Sequence, residues 1–342
     1  MLVTLKEIAY HAGVDVSVVS RVLNDKADQY RISKQCQERV KATALKLGYI
    51  PNAFAVGVKT GEFNCIALLH SSFTSKSYLP EKLINQIHSS LERHDKHLLL
   101  ANIPRKHSDH QELPKIFRSL MAEGLMVNYC HNLPANVREA ILKTSMPKVW
   151  INYKMDLDAV YPDSFSGAVK ATEYLIGLGH KRISYCNIFY DDLKPNAHFS
   201  VADRRAGYAL AMQAASLEIM DITPKHKIDD SMDKQIDYFC QVLKRPDRPT
   251  AMLFYWSYSV PAIYAAASHL DLRIPKDLSL MTFAGESHLR VGLNTTAMLE
   301  PETDMGGAAV AMLWEKFKTN QENLPSKKLE YIFWDMQTCS KI

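Results

Sequence analysis

Val16, Ser17, Ser20 and Arg21 stand at i, i+1, i+4 and i+5 of a stretch with helical periodicity. On a helix that spacing gathers a long cation, two small hydroxyls and an aliphatic group onto one face. Such groups read base edges and phosphate oxygens in a DNA major groove. A solvated helix face is the competing reading for any one of them. Charge bears on the choice. Residues 1–60 hold nine Lys and Arg against five acids, whereas the rest of the chain holds thirty-two of each. The formal excess of +4 therefore lies in the first sixth of 342 residues, as expected of a small unit with a polyanionic partner.

Other chemistries lack their usual signatures. No G-x-G-x-x-G, G-x-x-x-x-G-K-[ST] or G-x-S-x-G occurs, which counts against dinucleotide, P-loop and α/β-hydrolase function. The six cysteines are scattered without a C-x-x-C pair and read as reduced thiols rather than disulfides or zinc ligands. His94 and His97, and His107 and His110, sit three apart, but no Cys or carboxylate cluster accompanies them. The expectation is a non-enzyme with no metal and no cofactor.

The elements that must position the charged face follow from local signals. Thr4 to Glu7 form a capping box opening a helix whose Leu5, Ile8, Ala9 and Ala12 share a face, and Gly13 ends it. Val14 drops into a core and Asp15 caps a second helix, Val16–Leu23, which packs through Val19, Val22 and Leu23. The gap of about three residues is the length of a helix-turn-helix corner. A third helix from the Ser33 cap to the Gly48 stop, with Val40, Ala44 and Leu47 inward, completes the unit.

The runs TLKEIAYHAGVDVSVVSRVLN and ERVKATALKLGYIPNAFAVGVKTG resemble the headpiece and hinge of the LacI/GalR family. The resemblance implies a recognition helix in the major groove, with Val16, Ser17 and Arg21 toward bases and Thr4, Ser20 and Asn24 toward phosphates. Leu5 belongs to the same candidate DNA-binding set. It also implies a hinge helix after Pro51, capped by Asn52 and followed by Ala53, with Val58 as the minor-groove wedge where the family usually has Leu. The loop at 25–31 is longer than in the commonest members. The expected partners are a pseudo-palindromic operator in double-stranded DNA and a second copy of the chain, because two headpieces related by a two-fold impose their symmetry on the site.

From residue 64 onward, apolar runs at 65–69, 97–102, 125–129, 148–152, 182–186, 251–256 and 278–283 alternate with amphipathic helical stretches. That alternation predicts an α/β core with parallel sheets. Asp163 to Gly167 leading to Leu178-Gly179-His180-Lys181, Arg204 to Tyr208, and Leu293 to Gly306 resemble later family motifs. Members have a two-lobed periplasmic-binding-protein-like core that holds a small effector, often a sugar. The expected organisation is a headpiece at 1–50, a hinge at 51–61 and a two-lobed effector-binding and dimerisation core at 62–342.

The resemblance places Ser71, Asp163, Arg204, Trp256 and Glu286 as candidate effector residues. Arg204 offers a planar fork of donors suited to sugar hydroxyls or a carboxylate, and a salt bridge is its alternative. Family members often show Asn-Asp where this chain has Trp256-Ser257, and G-[FY]-D-D where it has Thr282-Phe283-Ala284-Gly285 followed by Glu286. Trp256 stacked on a sugar face and Trp256 buried in the core are both open readings.

The whole reads as a sequence-specific DNA-binding transcriptional regulator, a repressor modulated by a carbohydrate effector. A small-molecule-binding protein or sugar-processing enzyme with purely structural N-terminal helices is the competing class. No run of about 18 apolar residues exists and the N-terminus lacks the pattern of a signal peptide, so a dimer in the cytoplasm with no membrane partner is expected. The tail at 332–342 contains no heptad run that would argue for a tetramer.

Overall fold

The computed structural model describes residues 3–50, 63–71, 79–103, 122–129, 133, 135–188, 197–224, 228, 231–286 and 295–342. The chain divides into two compact units, Met1–Phe63 and Asn64–Ile342. The hinge expected at 51–61, with Asn52, Ala53 and Val58, lies outside the described residues.

The N-terminal unit contains α1 (Leu5–Ala12), α2 (Val16–Leu23) and α3 (Lys34–Lys46). Thr4 and Glu7 close a reciprocal capping box on α1, and Gly13 takes the left-handed conformation at φ 64° that ends it. Asp15 caps α2 by accepting from the Ser17 N–H at 2.8 Å. Ser33 caps α3 by accepting from the Cys36 N–H at 3.4 Å. Ile8, Ala9, Ala12, Val19, Val22, Ala27, Val40 and Ala44 form one buried cluster between the helices. Leu23 and Leu47 pack against it only half-buried.

The second unit is built on two six-stranded sheets. The first joins β1 (Cys65–Ser71), β2 (His97–Ile103), β3 (Gly124–Asn128), β4 (Lys148–Ile151), β5 (Ala159–Pro162) and β11 (Lys327–Leu329) in the order β11-β5-β4-β3-β1-β2. The second joins β6 (Ile183–Cys186), β7 (Met220–Asp221), β8 (Ala251–Phe254), β9 (Ser279–Gly285), β10 (Thr296–Glu300) and β12 (Ile332–Trp334) in the order β12-β10-β9-β8-β6-β7. All neighbouring strands run parallel except β10 and β12. Strand β12 returns directly beside β10, which is why its short apolar run faces an edge and stays exposed.

Helices cover the sheets through their apolar faces. On the first sheet, α4 (Glu81–Glu92) and α10 (Glu302–Thr319) bury Leu83, Ile87, Met305, Val310 and Leu313 against Ile66, Leu68 and Met126. The numbering in between is α5 (Ala135–Lys143), α6 (Ser164–Gly177), α7 (Phe199–Ala214), α8 (Met232–Leu243) and α9 (Val260–His269). Helices α6 and α7 pack on the second sheet through Ala168, Ala171, Leu175, Tyr208 and Met212. The other face is closed by Phe239, Ile263 and Ala266 of α8 and α9. Gly207 permits the α6–α7 approach, since a Cβ there would stand 2.3 Å from the Phe165 carbonyl oxygen.

The chain passes between the sheets from β5 to α6, from β10 to α10 and from β11 to β12. Two lobes thus share three connections, and the carboxyl ends of their parallel strands are where open α/β sheets hold ligands. Ser71, Tyr255, Trp256, Glu286 and Glu300 all lie at such ends.

Candidate nucleic-acid interface and interlobe site

The outward face of α2 is assembled with one correction. Ser17 is exposed, and Ser20 and Arg21 are partly so. Val16, expected on the same face, is half-buried against the core cluster and offers only part of its side chain to a partner. Leu5 is likewise half-buried against that cluster. Two residues placed by resemblance near phosphates already have intramolecular partners. The Thr4 hydroxyl donates to Glu7 Oε2 at 2.9 Å inside the capping box. The Asn24 amide donates to the Ser20 carbonyl at 2.7 Å as α2 ends. The Thr4 hydroxyl also accepts from the Glu7 N–H at 3.3 Å, and the Asn24 amide also lies 3.4 Å from Ser20 Oγ. Hydrogen bonds from Ser17 are the main reason the Asp15 carboxyl lies below its ordinary range, with Arg21 adding a smaller pull. A fixed anion therefore sits beside the helix start. The Arg21 guanidinium lies 3.9 Å from the centroid of the Tyr30 ring.

At the interlobe strand ends, Arg204 is the central cation, and it is not open to a ligand in the manner expected. The side chain is 1% exposed. Nη1 donates to the Tyr255 carbonyl at 2.7 Å, and Nη2 donates to Glu300 Oε1 at 2.9 Å and the Tyr331 hydroxyl at 2.6 Å. The rings of Phe283, Tyr255, Trp256 and Tyr331 surround the guanidinium, with centroids 4.2, 5.0, 5.3 and 5.6 Å away. The salt-bridge alternative for this residue is thus the one its contacts match. Burial disfavours the cation, but Tyr331, Tyr255 and Glu300 hold it well protonated. Burial pushes the Glu300 carboxyl above its usual range, and Arg204 pulls it part of the way back. Arg204 Nε and Glu300 Oε2 have no hydrogen-bond partner among the described residues.

The other candidates divide. Ser71 ends β1, is buried, and lies within hydrogen-bond reach of the Tyr129 hydroxyl. Trp256 is half-buried at the end of β8, packed against the second-lobe core and near Arg204. Asp163 serves instead as a crossover clamp. One oxygen caps α6 by accepting from the Ser166 N–H at 3.2 Å, and the other pairs with Lys328 at 2.9 Å. Glu286 accepts from the Thr303 hydroxyl at 3.0 Å and pairs with Lys82 of α4 at 3.4 Å. Both carboxylates are therefore engaged at the lobe connections rather than held in reserve.

Two contacts that sequence reasoning missed join the lobes along this edge, and a third extends one of them into the second lobe. His198, before α7, places Nε2 3.0 Å from the Asn152 carbonyl beyond β4, and its Nδ1 lies 2.8 Å from Ser200 Oγ. Ser200 in turn meets the Tyr255 hydroxyl at 3.0 Å. Lys154 pairs with Asp203 of α7 at 2.8 Å. Glu300 was missed too, although a carboxylate between the apolar residues 297–299 and Pro301 was a signal that could have found it. Tyr331, which meets Arg204 across 127 residues of sequence, had no local signal.

Comparison with known proteins bears on both units. The model of bacterial regulatory proteins of the lacI family matches residues 4–52, which contain all three headpiece helices. The periplasmic binding protein-like domain matches residues 172–332, which contain the second sheet except for the last two residues of β12.

Residues 4–52 carry the helix-turn-helix of bacterial regulatory proteins of the lacI family.

The chain is 26% identical over 340 residues to the ribose operon repressor of Escherichia coli (strain K12), covering 96% of this chain and 97% of that one. It is 27% identical over 333 residues to the HTH-type transcriptional repressor PurR of Shigella dysenteriae serotype 1, covering 94% and 92%. Among solved structures, a lac repressor dimer bound to operator and the anti-inducer ONPF superposes with a TM-score of 0.79 at 20% identity, covering 99% and 100%. A LacI-family regulator from Enterococcus faecium with bound ribose superposes at 0.64 and 16% identity, covering 81% and 99%. The fold is that of the lac repressor, a helix-turn-helix unit followed by two parallel-sheet lobes. No helix among the described residues is long and apolar enough to cross a membrane. No group of three His, Cys, Asp or Glu that could hold a metal occurs among them either.

Proposed function

We propose that this LacI-family DNA-binding regulator is a cytoplasmic repressor. It binds a pseudo-palindromic operator as a homodimer and is modulated by a sugar or sugar derivative. The headpiece at 1–50 reads the operator through Ser17, Ser20 and Arg21, with Val16, Leu5, Thr4 and Asn24 supporting. The hinge at 51–61, through Asn52, Ala53 and Val58, engages the minor groove. The core at 62–342 dimerises and senses the effector, acting by binding rather than catalysis, without metal or cofactor.

The observation that carries this reading is a capped three-helix unit whose second helix offers Ser17, Ser20 and Arg21 along one side. The names of the relatives support the rest. One is a ribose operon repressor, one solved structure is a dimer on its operator and another contains ribose. At the strand ends, Ser71 and Trp256 are the effector contacts. Arg204 acts from behind, fixed by Glu300 and Tyr331, while Asp163 and Glu286 act through the lobe connections. Electrophoretic mobility shift on the DNA upstream of its own gene, with and without a panel of pentoses and hexoses, tests the proposal. A retarded complex altered by a sugar supports it. A chain that binds sugar and no DNA would make the headpiece a structural appendage.

A further inference from the structure

Arg21 leaves α2 at its last turn as a long side chain with several rotatable bonds, and such a side chain loses rotamer freedom when fixed. In this protein it is already held. Its guanidinium lies 3.9 Å from the centre of the Tyr30 ring, over its face. Tyr30 comes from the loop at 25–31 that distinguishes this chain from the commonest family members, and the loop is firmly built. Ala27 is sunk into the headpiece core at 4% exposure. Ile32 N–H donates to the Ala27 carbonyl at 3.0 Å, and Lys26 N–H donates to the Arg21 carbonyl at 2.9 Å. Gln37 Nε2 donates to both Asp28 Oδ1 and the Ile32 carbonyl at 2.8 Å, and Lys34 pairs with Asp28 at 3.2 Å. Left-handed residues Asp25 and Arg31, both at φ 53°, mark the two ends. Tyr30 itself is 53% exposed, so the core does not require its ring.

We propose that Tyr30 is a positioning residue for operator reading. It holds the plane of the Arg21 guanidinium so that its edge N–H groups face a guanine. The chemistry is compatible, because a cation–π contact uses the face of the guanidinium while the two donors of a bidentate contact to guanine O6 and N7 lie on its edge. The inference rests on the reading that Arg21 contacts a base, and the two can fail separately.

The test is selection from randomised operator DNA with the full-length chain and with Tyr30→Leu, Tyr30→Phe, Arg21→Ala and the Tyr30→Leu/Arg21→Ala double variant. Thermal melting confirms that each is folded. Arg21→Ala should relax preference at one base position of each half-site. Tyr30→Leu should relax the same position with a loss of affinity of about two- to fivefold, the size of an exposed cation–π contact. Tyr30→Phe should behave as the parent, and the double variant should be no worse than Arg21→Ala alone. If Arg21→Ala relaxes a position and Tyr30→Leu leaves it sharp, the positioning role is overturned while the base contact stands. If Tyr30→Phe loses as much as Tyr30→Leu, the hydroxyl rather than the ring acts, which also overturns it. If Arg21→Ala changes no preference, the base contact falls and the positioning role with it.

Discussion

Arg204 and Glu300 form an ion pair of 2.9 Å with their side chains 1% and 4% exposed. The pair joins α7 to the last residue of β10, where the chain leaves the second lobe for α10. Two buried opposite charges repay their desolvation only with further hydrogen bonds. Here Tyr255 and Tyr331 supply them to Arg204 Nη1 and Nη2, while Arg204 Nε and Glu300 Oε2 have none among the described residues. Removing one partner is therefore worse than neutralising the arrangement. Arg204→Ala should destabilise the core by about 3–5 kcal/mol, because Glu300 is left as a lone buried carboxylate. Glu300→Gln, which keeps an acceptor for Arg204, should cost less. Denaturant unfolding of both variants checks the order, and equal losses would mean that charge pairing is not what holds the site.

Asp163 gives a pH dependence with a definite sign. Burial alone would raise its carboxyl, but the Ser166 hydrogen bond and Lys328 outweigh it and hold the group below its ordinary value. A carboxylate depressed in the folded state contributes stability above the unfolded value near pH 4, and that contribution is lost as pH falls through the folded value. Asp163→Asn retains a good helix cap but removes the charge. The variant should be less stable than the parent at pH 7 by no more than about 1 kcal/mol. The difference should shrink below pH 4 in paired thermal melts.

Gly207 tests the packing between α6 and α7. A Cβ at this position would meet the Phe165 carbonyl oxygen at 2.3 Å and Ala168 Cβ at 2.9 Å. Backbone has to move, and Gly207→Ala should destabilise by about 1–3 kcal/mol in spite of the better helix propensity of alanine. A stabilised variant would show that the helices separate freely.

Trp256 tests the effector site. A sugar that raises the melting temperature of the parent should do so much less for Trp256→Ala, because the ring supplies a flat apolar surface for the sugar face. Basal DNA affinity should change little. An unchanged thermal shift would assign Trp256 to the core alone.

Much of this was legible in the sequence, and for identifiable reasons. The headpiece helices begin and end on capping chemistry that is local, so Thr4, Gly13, Asp15 and Ser33 announce their positions. Six of the seven apolar runs read from the sequence form strands that are mostly buried, while the run at 97–102 forms β2 with His97, Leu100 and Asn102 exposed. The short strands β5, β7, β11 and β12 have two to four residues each and depend on partners distant in sequence, so no periodicity marks them. The candidate effector residues were less legible. Arg204 was found by its motif. Its partners Glu300 and Tyr331 lie 96 and 127 residues further on; the packing of α7 on the second sheet brings Glu300 to it, and the returning crossover into β12 brings Tyr331. Asp163 and Glu286 were read as ligand acceptors because a carboxylate at a strand or helix end looks the same whether it binds a ligand, caps a helix or bridges lobes.

Footprinting of the full-length chain on its operator, with and without the sugar that shifts its melting temperature, tests the central claim most directly. The account predicts two protected half-sites related by a dyad, affinity falling steeply with salt as phosphate counterions are released, and protection altered by the sugar. Protection of one asymmetric half-site by a monomer, or a footprint that no sugar changes, would contradict it.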